Sequence, residues 1–115
     1  MPDTIPLKEI KMDINTVCLS GHVFNVKVVP SKGVYPMVEA RLSVLSGTDA
    51  NGDNTYNDFL IRSYGKKNMK IANLSEGDFV TVHGKLKKCN AEEGAGPLSG
   101  KTYVSVETLK FLERS

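Results

Sequence analysis

The stretch Glu76-Gly77-Asp78-Phe79-Val80-Thr81-Val82-His83-Gly84-Lys85-Leu86 restricts the fold of this chain more than any other. Val80, Val82, Gly84 and Leu86 alternate with Thr81, His83, Lys85 and, one step on, Lys87. A period of two is the mark of a strand with one buried and one solvent-facing side. Gly77 suits a backbone turn with positive φ, and Asp78 can cap that turn through neighbouring backbone amides. Gly84, inside the strand, lets it coil sharply as a sheet curls shut. The stretch therefore predicts a strand that leaves a tight turn and bends within a closed sheet.

The rest of the chain is also dominated by strand signals. Thr16 to Phe24 is rich in β-formers and continues through Val29, with Gly21 inside it marking a bulge or a tight bend. Pro30 to Gly33 reads as a turn. A second strand, Met37 to Leu45, sets Val38, Ala40, Leu42 and Val44 on an apolar side and Glu39, Arg41 and Ser43 on a polar one. Ser46 to Thr55 reads as a loop. A third strand, Tyr56 to Tyr64, points Phe59, Ile61 and Ser63 inward and Leu60, Arg62 and Tyr64 outward. Gly65 to Asn73, with Met69, Ile71 and Ala72 among lysines, suits a short helix. The fourth strand is Phe79 to Lys88, Asn90 to Gly100 is a second loop, and Thr102 to Leu112 is the last strand. Phe24, Phe59, Phe79, Tyr103 and Phe111 are expected in the core.

This order predicts an all-β fold: a five-stranded Greek-key barrel of the OB type, with one short helix between strands 3 and 4. Met69 and Ile71 would cover the end of the barrel that the helix plugs. A length of 115 residues fits a single core. The expected division is an N-terminal extension (1–13), the barrel (14–112) and a short end without an acidic tail (113–115).

Composition narrows the function. The hydrophobic share of 40% and charged share of 24% are ordinary for a globular domain. No apolar run is long enough to span a membrane, and residues 1–12 lack the apolar stretch of a signal peptide, so a cytoplasmic location is expected. The net charge of +2, from 15 basic and 13 acidic residues, means that any affinity for nucleic acid must come from local placement of cations. Cys18 and Cys89 are far apart and expected to be free thiols. His22 and His83 stand at no metal-ligand spacing, and Asp49, Asp53 and Asp58 lack the glutamate of a calcium loop. No Ser-His-Asp order, carboxylate pair or phosphate loop stands out, so neither an enzyme nor a cofactor is expected.

Asn15 to Val23 resembles the opening strand of the bacterial single-stranded-DNA-binding proteins, Asn-x-Val-x-Leu-x-Gly-x-Leu/Val. Tyr64-Gly65-Lys66 resembles that family's aromatic-Gly-Lys step out of the third strand, and Leu74 to Leu86 its turn and fourth strand. The matches keep the family's order over about residues 14–112, and the chain is also similar to the primosomal replication protein branch. The resemblance implies a homodimer or homotetramer acting in replication, recombination or repair, with replication proteins among its partners. The chain departs from the family in having no tryptophan, and in Cys89-Asn90-Ala91 where an aromatic is usual.

OB barrels usually take single strands on the outer faces of strands two and three. Those faces are expected to hold Arg41, Arg62 and Tyr64, next to Lys85 and Lys87, with Lys66 just beyond and Tyr56 near the start of strand three. Cations along a groove track phosphates, and exposed rings stack bases. The expected function is sequence-tolerant binding of single-stranded DNA, with RNA left open as a ligand. The alternative is an OB-fold protein-interaction or primosome-assembly subunit with weak or no nucleic-acid binding.

Overall fold

The first strand, β1 (Val17–Val29), is shared between two partners. Its first half pairs antiparallel with β4 (Phe79–Lys88), from Val17↔Gly84 to His22↔Phe79. Its second half pairs antiparallel with β2 (Met37–Thr48), from His22↔Ser43 to Val29↔Met37. β2 pairs in turn with β3 (Asn54–Ser63). β3 runs parallel to β5 (Thr102–Glu113) at Ile61↔Val104 and Arg62↔Ser105, and β5 returns antiparallel to β4. The sheet is a closed barrel in the order β1-β2-β3-β5-β4, the five-stranded OB architecture. This computed structural model describes residues 13–30, 36–64, 71–89 and 101–114. Among them the short helix is represented by Ile71 and Ala72, and the Ile71 side chain is wholly buried. Met69 and most of the expected helix lie outside the described residues, as does most of the turn after β1. No helix among the described residues is long and apolar enough to cross a membrane.

The core follows the alternation. Val23, Val38, Ala40, Leu42, Ile61, Val80, Val82 and Val104 are each at most 2% exposed and pack into one cluster with Ile71. Most are β-branched, which suits a pleated surface. Gly21 and Gly84 set the tightest contacts. A β-carbon on Gly84 would run into the backbone carbonyl of Ser105 on β5, and one on Gly21 into that of Ser43 on β2. The β4–β5 register slips between His83 and Gly84, so the close approach coincides with a bulge.

The turn before β4 is built as its residues suggest. Gly77 has φ +85°, and its N–H donates to the Val23 carbonyl. The buried Asp78 carboxylate accepts from the Ser75 N–H at 2.9 Å. At the other end of the β1–β4 ladder the Asn15 side chain stands in for a peptide. Its Nδ2 donates to the Leu86 carbonyl, and its Oδ1 accepts from the Leu86 N–H, both at 2.9 Å.

Several expectations need correction. The register slip in β1 lies between Phe24 and Lys27, so Gly21 is not a bulge; it sits instead where β1 passes from β4 to β2, packed against the Ser43 backbone. Asn25 takes φ +56° there, and its N–H donates to Glu76 Oε1 at 2.7 Å. Phe24 is 38% exposed, because Val23 takes the core side and Phe24 pairs with Arg41 on the outer side. Phe79 is only half-buried and lies against His22, with ring centroids 4.9 Å apart. Phe111 (40%) and Leu86 (49%) are exposed near the strand ends, beyond the packed middle of the barrel. The loop expected over Ser46 to Thr55 shrinks, because the β2–β3 ladder continues to Thr48↔Asn54. The remaining turn is tied by Asp49 Oδ1, which accepts from the N–H groups of Asn51 and Asp53.

Substitution separates steric from conformational glycines. Gly84→Ala forces a methyl against backbone and should cost about 3 kcal/mol. Gly52→Ala meets no atom within 4 Å but sits at φ +81°, so it should cost only about 1 kcal/mol. Urea unfolding checks both, and equal losses would contradict the backbone-contact account of Gly84.

Candidate nucleic-acid interface

Alternation places Glu39, Arg41, Ser43 and Leu45 on the outer side of β2, and Tyr56, Asp58, Leu60 and Arg62 on that of β3. Register sets them opposite one another: Leu45↔Tyr56, Ser43↔Asp58, Arg41↔Leu60 and Glu39↔Arg62. The strip changes character along its length. Toward the hairpin turn it is open, with Leu45 56% and Tyr56 52% exposed. Arg41 is exposed and lies 3.8 Å from Asp58. Such a surface pair is worth less than about 1 kcal/mol, so the guanidinium is readily given up to another anion.

Toward the other end the strip is buried. Arg62 is 3% and Glu39 5% exposed. Arg62 Nε donates to Glu39 Oε2 at 3.1 Å, and Lys27 Nζ lies 3.3 Å from Oε1 of the same carboxylate. The Arg62 guanidinium also lies 4.7 Å from the centroid of the buried Tyr103 ring. Burial by itself pulls the Arg62 pKa down. The hydrogen bond to Glu39, with the negative potential of Cys89, Tyr64 and Glu39, more than offsets this, and the pKa ends raised. A raised pKa stabilises the fold at every pH below the ordinary arginine value and is lost only as pH climbs through the raised one. Arg62 therefore adds no pH dependence to stability near neutrality.

Arg62 was expected as an exposed phosphate contact. Its side of the strand is as expected, but it is the centre of a buried polar cluster. The reason is topological. Strands β3 and β4 are not neighbours, because β5 lies between them. Lys85 and Lys87 therefore do not adjoin Arg62 but face Ser105 and Tyr103 on β5. Both lysines are exposed. Tyr103 links the two sides, with Arg62 at its face and Lys87 as its register partner. Tyr64, at the end of β3, is 39% exposed, and Lys66 lies outside the described residues. The fold thus brings Arg41 and Tyr56 onto one open strip, sets Lys85 and Lys87 two strands from β3, and withdraws Arg62 from solvent.

Three further residues belong to this surface: Leu45, Phe24 and Lys27. Leu45 shares the outer alternation of Glu39, Arg41 and Ser43, so its position opposite Tyr56 was readable. Phe24 beside Arg41, and Lys27 beside Glu39, are set by the β1 bulge, which has no sequence signal as plain as a glycine. Among the described residues no group of three or more histidine, cysteine or acidic side chains could hold a metal.

No protein-family model matches this chain, and no curated protein matches it in sequence. Solved structures do. A small single-stranded DNA-binding protein from Streptomyces coelicolor superposes with a TM-score of 0.66 at 21% identity, over 89% of this chain and 96% of that one. The protein PriB from Ralstonia solanacearum gives a TM-score of 0.65 at 13% identity, over 87% and 100% of the two chains. The dimeric N-terminal domain of PriB from Thermoanaerobacter tencongensis gives 0.58 at 19% identity, over 87% and 98%. At these identities the likeness is one of fold, and it is the fold that the resemblance implied.

The polar cluster can be dissected by a double-mutant cycle. Glu39→Ala and Arg62→Ala each leave a buried charge without its main partner and should each destabilise the chain by about 3 kcal/mol. The double variant should lose clearly less than the sum, read from denaturant midpoints. Additive losses would show the two side chains to be energetically independent.

Proposed function

We propose that the chain binds single-stranded DNA with little regard to sequence. The binding surface is the open strip of β2 and β3, continued across β5 to the lysines of β4. One observation carries this reading. Tyr56 and Leu45 form an exposed cross-strand apolar pair on the same strip as Arg41, on the side of the hairpin that the core does not use. A ring so placed offers a stacking face to any base, worth roughly 1–3 kcal/mol. Arg41, once released from Asp58, and the exposed Lys85 and Lys87 would track phosphates, with Tyr64 just past the end of β3 and Lys66 following it in sequence. Arg62 acts at one remove: held by Glu39 and Tyr103, it stiffens the floor between the two cationic sides. The solved structures of similar fold support the reading, since one is named for single-stranded DNA binding and others are PriB proteins. The same reading makes the chain a non-enzymatic replication factor of the cytoplasm. It would act as a homo-oligomer that uses the second half of β1, where Val28 is exposed.

Fluorescent oligothymidylate titrated at low and high salt tests this. Affinity should fall steeply with salt, as phosphate contacts release counterions. Tyr56→Ala should weaken binding about tenfold, within the stacking range, and Lys85→Glu with Lys87→Glu should flatten the salt dependence. Absence of binding at micromolar protein and low salt would overturn the proposal and favour a protein-interaction role for the same barrel.

A further inference from the structure

Away from that strip, the outer side of β1 and β4 holds a second chemical feature. Cys18 and His83 are direct cross-strand partners, and Sγ lies 3.2 Å from Nε2. Both side chains are exposed. The only other thiol, Cys89, is 1% exposed. The chain therefore presents a single accessible thiol, with a base in hydrogen-bonding contact. Cross-strand pairing fixes that contact more firmly than two side chains on a loop would. The surroundings are cationic. Lys85 follows His83 on the same side of β4, with Lys87 beyond it, and Lys110 on β5 faces Thr81. Glu107, exposed on β5 beside Thr108, adds an opposing charge at the register slip opposite His83 and Gly84.

We infer that Cys18 and His83 form a thiol-modification site that exchanges with small anionic disulfides. His83 Nε2 takes the proton of the Cys18 thiol, and the thiolate attacks one sulfur of the disulfide. A bond forms between Sγ and that sulfur while the disulfide's own S–S bond breaks. Cys18 is oxidised, and the departing half leaves as a reduced thiolate that recovers the proton from the imidazolium. The lysines draw in an acidic reagent, and the reaction reverses with excess thiol. Cys18 and His83 lie off the open strip of β2 and β3; they share Lys85 and Lys87 with the proposed DNA surface, but the thiol chemistry does not depend on the DNA-binding reading.

The test uses the full, reduced chain and glutathione disulfide at neutral pH, followed by intact-mass spectrometry and peptide mapping. The expected result is a single glutathionyl adduct on Cys18 that dithiothreitol removes and that Cys18→Ser abolishes. His83→Ala and His83→Gln, each checked for an unchanged β-sheet spectrum, should form the adduct at least about tenfold more slowly, the loss expected of a positioned base. Equal rates in the native chain and in whichever of these variants folds, or an adduct on Cys89 in place of Cys18, would overturn the inference.

Discussion

The barrel closes because two pairs of backbones come together more closely than a β-carbon allows, at Gly21 against Ser43 and at Gly84 against Ser105. β1 can then pass from β4 to β2 within one continuous strand, and β4 can lie against β5. The position of every other group depends on this. With the curl in place, alternate residues of five strands meet in one core of valine, leucine and isoleucine. Their neighbours are forced outward in rows whose order is set by the order of the strands. Without it, the same sequence would form a flatter sheet with exposed edges.

Closure also explains the uneven electrostatics of the outer surface. Insertion of β5 between β3 and β4 puts Tyr103 beside Arg62, and pairing of β2 with β3 puts Glu39 opposite it. A guanidinium taken out of water at this point is tolerated because it has a carboxylate partner and an aromatic face, each oriented by a strand. Charges further along the hairpin have no such walls and remain hydrated. Among the described residues the outer surface thus combines one buried, internally compensated pair with separate solvent-facing cations.

Features that depend on local pattern were legible in the sequence. All five strands, the Gly77 turn with its Asp78 cap, and most core positions follow from a period of two and from turn chemistry. Tyr56 and Arg41 emerge on the side that alternation assigns them. What was not legible depends on contacts distant in sequence. Nothing near Arg62 announces that β5 will lie against β3, so its burial and its separation from Lys85 could not be read. Phe24 shows a related failure. Its hydrophobicity suggests the core, but Val23 is in phase with the inward row, and phase outweighs residue type. Asn15 resembled a motif residue without an evident reason. The reason is that its amide completes a ladder in which the main chain takes no further part.

The hairpin of β2 and β3 is one long ladder with a single register slip, yet only its barrel half is backed by a core. Val38, Ala40, Leu42 and Ile61 lie beneath one half, whereas everything from Leu45 to Asp58 faces solvent. A two-stranded ribbon without a packed face is barely stable by itself. The ladder should therefore behave as a graded lever, anchored where it enters the barrel and increasingly compliant toward Gly52. Amide protection would decline stepwise along a single pair of strands. The register slip between Leu45 and Gly47 marks where the stiff part gives way to the soft part, so the Tyr56 ring is carried just where the lever begins to flex.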